Sequence, residues 1–462
     1  MATHDALVKY YDCLKDSFNK IQVKDNKVAL VNAALRPKIR EELAKSKDVL
    51  ISYLNYIQVF TPIYSEKFSN ICYSIICPLF KENLPGSNDA GHDNHENIND
   101  KTEETANLIH QTMKEILKSK PELIEEYIHC IIKFFPNIYN DGHSTFINYF
   151  ANCLEVCTYI RGEPLTILLA KLLDRINPPT SEEENDKDKV AESKECIITA
   201  YKWIYKRLKT LDKRQLENVS AAMLAAFSRE FLVSENGDSL NYLIFYICSL
   251  DSKLTDLFIN LLWAVFTNSN RPLEERKASV YYACSFMSRA NYIEINKVLN
   301  YLETAVIWCN GVLFDSQTED SVLSSTGPNI FNESSQLFFS LVDSILYLLT
   351  QRYRELYEKE SIERLQKLDL DKILDSHLSP LEFCDIDTEQ RFREVAALYG
   401  ISNLRPTETT MSARKRRKSD YNRNPRVTGK MPFKEVNYSL PEHVKHLYTN
   451  YYDHRNFTVY RE

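Results

Sequence analysis

Hydrophobic residues recur along this chain at intervals of three and four, the spacing that places them on one face of an α-helix. Between 121 and 135, Leu123, Tyr127, Ile131 and Phe135 return at every fourth position. Short breaks, often marked by proline, separate such segments. The pattern predicts helix pairs at 37–60 and 62–80, 105–119 and 121–135, 144–161 and 164–176, 195–210 and 213–233, 239–250 and 252–268, and 272–289 and 292–311.

A regular alternation of helix, short break and helix is typical of stacked helix pairs. We therefore expect an all-α fold, a HEAT-like antiparallel helix-pair solenoid; a compact irregular bundle is the alternative. The predicted organisation is a helical array at 1–398 with acidic insertions at 83–104 and 178–194, a disordered basic linker at 399–438, and a C-terminal docking segment at 439–462. The insertions and the linker are too polar to bury much apolar surface.

Composition narrows the class of protein. Only 9 of the 462 residues are glycine, which argues against a nucleotide-binding enzyme built on glycine-rich phosphate loops. The formal net charge is −7. Residues 405–430 contain nine Lys and Arg against two acids, a local charge of +7, so the rest of the chain carries −14. An acidic protein with one short basic tract is expected to bind little DNA directly and to meet other proteins.

The 11 cysteines are scattered through apolar segments and are interpreted as reduced core thiols of a nuclear or cytosolic protein. Cys153 and Cys157 lie one helical turn apart but have no second ligand pair, so burial is favoured over a metal. We find no secretory signal and no membrane-spanning segment. No motif supplies a nucleophile with its base or a cofactor loop, so we expect no catalytic site, no cofactor and no enzyme activity.

One linear motif is sharp: five consecutive basic residues followed by a serine. The residues are Arg414, Lys415, Arg416, Arg417, Lys418 and Ser419. Five adjacent cations must be solvated or bound to an acidic partner. We interpret the tract as a nuclear localisation signal read by an import receptor, against the alternative of a solvated linker. Ser419 directly follows the basic run and is a predicted target of basophilic kinases; a phosphate there would add negative charge and weaken receptor binding.

The middle of the chain also resembles a known family. The residues that carry the resemblance are Tyr242 to Leu250, Phe258, Trp263, Ala283, Ser285, Phe286, Met287, Arg289 and Ala290, with support from Phe134 to Pro136, Phe146, Tyr149, Phe338, Phe339, Tyr347, Leu365 to Leu374, Leu378 to Leu381, and Met431 to Phe433. In order and spacing they resemble the RNA polymerase I-specific initiation factor TIF-IA family. The aromatic residues of 242–290 are expected to be core rather than interface.

This resemblance implies a HEAT-repeat protein without enzymatic activity, located in the nucleus and nucleolus. It implies binding to RNA polymerase I near the stalk, followed by contact with the promoter-bound core factor at ribosomal RNA genes, and it allows a homodimer of the free protein. The resemblance also implies that phosphorylation regulates the protein. The acidic loop here holds only Ser87, so Ser65, Ser69 and Ser74 on the preceding predicted helix are further candidate phosphorylation sites. The competing hypothesis is a HEAT or MIF4G-like adaptor in RNA processing or nuclear transport.

Overall fold

The computed structural model describes residues 4–35, 43, 46–82, 95–177, 187–233, 238–320, 333–357, 359–404 and 445–447. Two compact units make up the chain, Met1–Ala226 and Phe227–Glu462, and the division falls inside a helix. Ser87 and the tract 414–418 with Ser419 lie outside the described residues.

The described residues of the first unit form helices and no strands. The helices are α1 (His4–Lys20), α2 (Lys24–Ala34), α3 (Lys47–Phe60), α4 (Phe68–Ile71), α5 (Cys77–Glu82), α6 (His95–Ser119), α7 (Leu123–Lys133), α8 (His143–Val156), α9 (Glu163–Arg175), α10 (Lys187–Thr210) and α11 (Lys213–Glu230). A 3-10 turn, Ser65–Lys67, precedes α4, and a π-helical turn, Cys72–Ile76, joins α4 to α5. The last residues of α11 belong to the second unit.

The described residues of the second unit are likewise helical. Its helices are α12 (Asp238–Ser249), α13 (Ser252–Thr267), α14 (Leu273–Arg289), α15 (Ile295–Asp320), α16 (Glu333–Gln351), α17 (Lys359–Lys367), α18 (Leu370–Leu374) and α19 (Ile386–Tyr399), with 3-10 turns at Glu355–Tyr357 and Pro380–Glu382. The prediction of an all-α fold is therefore confirmed over the described residues.

Several helices pack closely against the next helix but one in the sequence. In the first unit α7 lies against α9 and α8 against α10; in the second, α14 lies against α16. Neighbours in sequence also meet, as α12 with α13 and α13 with α14. Contact with the next helix but one is what stacking of helix pairs produces, since each pair packs on the pair that follows.

Several helices extend beyond their predicted bounds. Helix α6 begins at His95, inside the predicted insertion 83–104, and α10 begins at Lys187, inside 178–194. Helix α15 continues to Asp320 through a serine-containing stretch. Polar residues such as Glu and Lys have good helix propensity, so a segment without an apolar face can still prolong a helix that packing has already nucleated.

The sequence analysis missed the first two helices. Leu7, Tyr11, Leu14 and Phe18 are buried at intervals of four, three and four, and α1 packs against α3. The ring of Tyr11 meets that of Tyr53 edge to face, with centroids 5.2 Å apart. The helical spacing of these four residues was a sufficient signal.

Local chemistry fixes several helix ends. The Asp251 side chain accepts a hydrogen bond from the Lys253 amide at 2.9 Å, and the Asp385 side chain accepts one from Thr388 at 3.0 Å. These carboxylates satisfy amides that the first turn of a helix leaves free. Gly400 ends α19 with a φ of 63°, a left-handed conformation that glycine adopts without the penalty of a Cβ.

Helices α14 and α16 form the centre of the second unit, and serines line both. The hydroxyls donate to carbonyls of their own helix: Ser279 to Arg276 at 2.7 Å, Ser288 to Cys284 at 2.6 Å, and Ser344 to Ser340 at 2.8 Å. A small side chain lets two helices approach closely, and the internal hydrogen bond removes the cost of burying the hydroxyl.

Candidate interaction surface

The predicted phosphorylation sites that the structure describes lie on one stretch of the first unit. Ser65 is in the 3-10 turn, Ser69 in α4 and Ser74 in the π-helical turn. Ser74 is exposed, whereas Ser65 and Ser69 are half-buried. Ser65, Ser69 and Tyr73 follow one another at intervals of four residues, which places them along one helix face.

Ser69 is already engaged. Its hydroxyl donates a hydrogen bond to the carboxylate of Glu126, a half-buried residue of α7. The carboxylate accepts this proton only from a free hydroxyl, so a phosphate on Ser69 would remove the bond and place two anions side by side. Ser69 therefore connects any modification to the packing of α4 on α7.

An aromatic contact continues the same line. Tyr73 is 55% exposed, and its ring lies 4.3 Å from that of Phe134, centroid to centroid. The Lys133 ammonium lies 5.4 Å from the Phe134 centroid, within cation–π range. Ser65, Ser69, Tyr73, Ser74 and Phe134 are named here the serine–aromatic ridge.

The π-helical turn exposes part of this ridge. Its closing hydrogen bond runs from the Cys77 amide to the Cys72 carbonyl, five residues back. The wider turn keeps Cys72, Ile75 and Ile76 buried while Tyr73 and Ser74 face outward. π-Helical turns inside α-helices are frequent at functional sites. Sequence analysis singled out Phe134 but missed Tyr73, because α-helical periodicity gives no signal for a π turn.

The segment that carries the family resemblance is core, as predicted. The rings of Phe245, Phe258 and Phe286 are fully buried. Phe286 meets Phe245 at 5.6 Å and Phe258 at 5.5 Å between centroids, both edge to face. The edge-to-face geometry adds to the stabilisation that burial of the three rings provides. This segment therefore supports the fold rather than offering a surface.

Two buried arginines tie α14 to α16. Arg352, 2% exposed, donates to the carbonyls of Met287 at 2.8 Å, Ala290 at 3.3 Å and Ile293 at 2.8 Å. Its guanidinium bonds the Met287 carbonyl in the last turn of α14 and the Ala290 and Ile293 carbonyls that follow the helix, and its charge complements that end of the helix. Arg289 donates to the Tyr347 hydroxyl at 2.8 Å. The sequence analysis did not single out Arg352, because an arginine in a helical segment is usually solvated and its carbonyl partners lie about sixty residues earlier in the chain.

The expectation that the thiols are core groups holds for Cys153 and Cys157 and for three cysteines of the second unit. Cys153, Cys157, Cys248, Cys284 and Cys309 are buried, and burial is the main cause that raises the pKa of each thiol. Cys157 donates to the Cys153 carbonyl at 3.3 Å.

Within the described part of the chain, no group of three or more His, Cys, Asp or Glu side chains could hold a metal ion. Each helix in the described residues is too short or too polar to span a lipid bilayer.

Paired helices, a buried aromatic centre and an exposed ridge define a helical scaffold class of protein. The sequence model of the family described as "RNA polymerase I specific transcription initiation factor RRN3" matches residues 1–177 and 167–437. The chain belongs to this family.

Individual relatives are distant. The chain is 23% identical over 180 residues to "RNA polymerase I-specific transcription initiation factor RRN3" of Mus musculus, covering 38% of this chain and 26% of the mouse protein. It is 23% identical over 213 residues to the factor of the same description, rrn3, of Schizosaccharomyces pombe, covering 44% and 34%. These alignments therefore span about a quarter and a third of the two curated relatives.

A solved structure shares the fold. The "Crystal Structure of RNA Polymerase I Transcription Initiation Factor Rrn3" superposes with a TM-score of 0.68 over 97% of this chain and 90% of that one, at 17% identity. The likeness in fold therefore extends well beyond the stretches that align in sequence.

Proposed function

We propose that this chain is a transcription initiation factor that binds RNA polymerase I near its stalk and bridges it to the promoter-bound core factor at ribosomal RNA genes. The observation that carries the proposal is the family match, which spans residues of both units. The fold supports it, because a scaffold of stacked helices offers a large surface to a large partner. The protein acts by binding rather than by catalysis.

The serine–aromatic ridge is the proposed polymerase contact within the described residues. Aromatic rings are enriched where proteins bind one another, and the exposed Tyr73 with the half-buried Phe134 supplies a pair of such rings at the surface. Ser74 stands exposed beside Tyr73. Phosphate on this face would repel an acidic partner surface, which makes modification an off-switch.

The direct test uses the purified full chain with purified RNA polymerase I, and RNA polymerase II as the specificity control. We expect a stable complex with the first enzyme only. Tyr73→Ala combined with Phe134→Ala should weaken it at least tenfold, while Tyr353→Ala, a half-buried tyrosine of the second unit, should not. Binding to both polymerases equally, or to neither, would contradict the proposal.

The competing adaptor function has its own outcome. Capture from nuclear extract that enriches RNA or a transport GTPase, without polymerase I subunits, would favour an adaptor in RNA processing or nuclear transport. Recovery of polymerase I together with the core promoter factor supports the bridging role. Little direct DNA binding is expected, so removal of 405–430 should change polymerase binding only slightly, and any residual DNA affinity should fall steeply with salt.

Localisation is proposed to depend on the basic tract at 414–418. Replacing Lys415, Arg416, Arg417 and Lys418 together by alanine should abolish binding to an import receptor and accumulation in the nucleus and nucleolus. Ser419→Asp should weaken receptor binding partially, because one carboxylate offsets part of the positive charge. Unchanged nuclear accumulation of the fourfold variant would remove this function from the tract.

Phosphorylation of the free protein and its association state are also open to measurement. Ser65, Ser69, Ser74, Ser87 and Ser419 are the proposed modification sites, and mass spectrometry of protein from growing and starved cells would locate the phosphates. A homodimer of the free chain is proposed as a storage form. Sedimentation of the purified protein, with and without polymerase I, would show a dimer that disappears on complex formation.

A further inference from the structure

The end of α10 and the start of α11 present a row of basic side chains. Between residues 202 and 214 the chain has six Lys and Arg against one acid, a local charge of +5, whereas its net charge is −7. Five of the six basic side chains are exposed. They are named here the basic face and comprise Lys202, Lys206, Lys209, Lys213 and Arg214.

The helix geometry places an apolar side chain on the same face. Lys202, Lys206 and Lys209 follow one another at intervals of four and three, which aligns them along one side of α10. Ile198, one turn before Lys202, continues this line and is 53% exposed. Trp203 is half-buried beside them, and the Lys206 ammonium lies 4.8 Å from the centroid of the Trp203 ring, within cation–π range. The face therefore combines a row of cations with an exposed aliphatic side chain at one end.

The neighbouring charges of the chain leave the basic face unneutralised. Arg207, the sixth basic residue, turns to α8, where its guanidinium lies 2.6 Å from the Glu155 carboxylate. The Asp212 carboxylate accepts a hydrogen bond from the Gln215 amide at 2.8 Å and so caps the start of α11. Among the described residues, no carboxylate forms an ion pair with the basic face. Like charges one turn apart destabilise a helix, so this row gains stability when an anionic partner lies along it.

The dimensions and the mixed chemistry of the face favour an acidic polypeptide over a nucleic acid. Lys209 lies seven positions after Lys202, so the row on α10 is about 10 Å long, the length of about three residues of extended chain. Duplex DNA carries one negative charge per about 1.7 Å of its axis. It would continue past the row, over a chain whose other residues carry −12, the difference between −7 and +5. Ile198 adds an apolar contact, which a hydrophobic side chain of a partner protein covers better than a phosphate backbone does.

We propose that the basic face and Ile198 bind an acidic segment of a partner protein that carries a hydrophobic residue next to its carboxylates. The carboxylates pair with the three lysines of α10, and the hydrophobic side chain covers Ile198. Attraction between opposite charges speeds the encounter and weakens as salt is added. The face belongs to α10 and α11, so this interaction is independent of the polymerase contact proposed for the serine–aromatic ridge.

The test measures the fluorescence anisotropy of labelled probes mixed with the full-length chain. One probe is a peptide that alternates Glu with Leu, the second is a peptide that alternates Glu with Ser, and the third is a DNA duplex. We expect the Glu–Leu peptide to bind most tightly, with an affinity that falls as salt is raised. Ile198→Ser should lower this affinity severalfold and leave that of the Glu–Ser peptide unchanged. Replacing Lys202, Lys206 and Lys209 together by glutamate should lower the affinity for both peptides about tenfold or more.

The matched control replaces three exposed lysines on other helices, Lys114, Lys171 and Lys253, by glutamate, which changes the net charge by the same amount. It should bind both peptides nearly as well as the wild type. Glutamine at the three lysine positions of α10 removes the charges without adding acids and should also weaken binding, and circular dichroism would show that each variant is folded. Equal losses in the control, a duplex that binds more tightly than the Glu–Leu peptide, or a wild type that binds neither peptide at low salt would overturn the proposal.

Discussion

The stretch from Phe68 to Glu82 and helix α14 are similar in length but have opposite surroundings. Every residue of α14 from Val280 to Arg289 is buried. In the stretch around the π-helical turn, Tyr73 and Ser74 face solvent while Cys72, Ile75 and Ile76 face the interior. A helix buried on all sides must satisfy neighbours in every direction, whereas a half-exposed helix leaves one face available for a partner.

The comparison shows that the segment by which the family is recognised differs from the surface that we propose binds the polymerase. The family resemblance is densest where α14 and its neighbours are buried, because there each side chain must fit a specific space. The surface proposed to bind the polymerase carries a much weaker signature, since exposed positions are constrained by a partner that the sequence does not show. A segment that identifies a family is therefore not by that fact its functional site.

The largest expected effect tests this contrast with matched phenylalanines. Phe286→Ala should lower the free energy of unfolding of the second unit by about 4 kcal/mol, because a fully buried ring leaves a cavity. Phe134→Ala, half-buried on the ridge, should cost about 1 kcal/mol or less. Urea unfolding followed by circular dichroism measures both. Among folded proteins, Phe134→Ala should weaken polymerase binding more than Phe286→Ala does. Equal losses of unfolding free energy in the two variants would contradict the difference between the buried segment and the ridge.

Arg352 provides the next largest effect. Arg352→Met removes the donors to the Met287, Ala290 and Ile293 carbonyls at and after the end of α14; among the described residues, only the Ala290 carbonyl keeps another donor, the Ile293 amide. We expect a loss of about 3 kcal/mol, because each unsatisfied buried group costs about 1 kcal/mol or more. The exposed Arg354→Met is the control and should cost less than about 0.5 kcal/mol. Hydrogen exchange should show that the segment 287–293 opens first in Arg352→Met. If Arg352→Met and Arg354→Met lose the same stability, the bonds from Arg352 to these carbonyls do not stabilise the unit.

The sequence predicted the helical fold well, for a physical reason. Apolar residues at intervals of three and four mark the packing face of a helix. The predicted helix at 252–268 therefore appears as Ser252–Thr267, and that at 164–176 appears as Glu163–Arg175. Proline and the Asp251 cap fix their starts locally. Polar extensions such as the start of α6 were missed, because helix continuation without a buried face leaves no periodic signal.

The candidate site was less predictable. The serines at 65, 69 and 74 were found as residues, but the bond from Ser69 to Glu126 joins positions 57 residues apart. The hydrogen bond from the Cys77 amide to the Cys72 carbonyl closes a π-helical turn, and nothing in the local apolar spacing distinguishes that turn from an ordinary α-helix. Contacts between distant segments are set by tertiary packing, which a single sequence does not display.

The stability of the first unit should also depend on pH, because one of its buried side chains is a histidine. His110 packs against Phe80 of α5 at 5.2 Å and donates from Nε2 to the Asn152 side-chain oxygen at 3.1 Å. Burial, followed by a smaller contribution from Arg207, lowers the pKa of His110 to about 4 against the opposing Asn152 bond. The unfolded chain therefore binds a proton, near pH 6.5, that the folded chain refuses.

This linkage fixes the sign of the effect. The contribution of His110 is complete above about pH 6.5 and is lost as pH falls through 4, a change of about 3 kcal/mol between pH 7 and pH 4. Unfolding free energies of the wild type and of His110→Gln should converge over that interval, because the amide does not titrate. Parallel pH profiles for the two proteins would show that this histidine is not held neutral by burial.

The smallest expected effect concerns Ser69. Ser69→Asp removes the hydrogen bond to Glu126 and places two carboxylates together, which should cost about 1 kcal/mol in the first unit. Ser74→Asp, exposed on the same stretch, should cost less than about 0.5 kcal/mol. Glu126→Gln should restore most of the stability lost in Ser69→Asp, since the repulsion disappears and the amide can donate to the new carboxylate. A double-mutant cycle measures this coupling. If the cycle shows none, a phosphate on Ser69 would act only through the outer face of the ridge, as on Ser74, and not through the packing of α4 on α7.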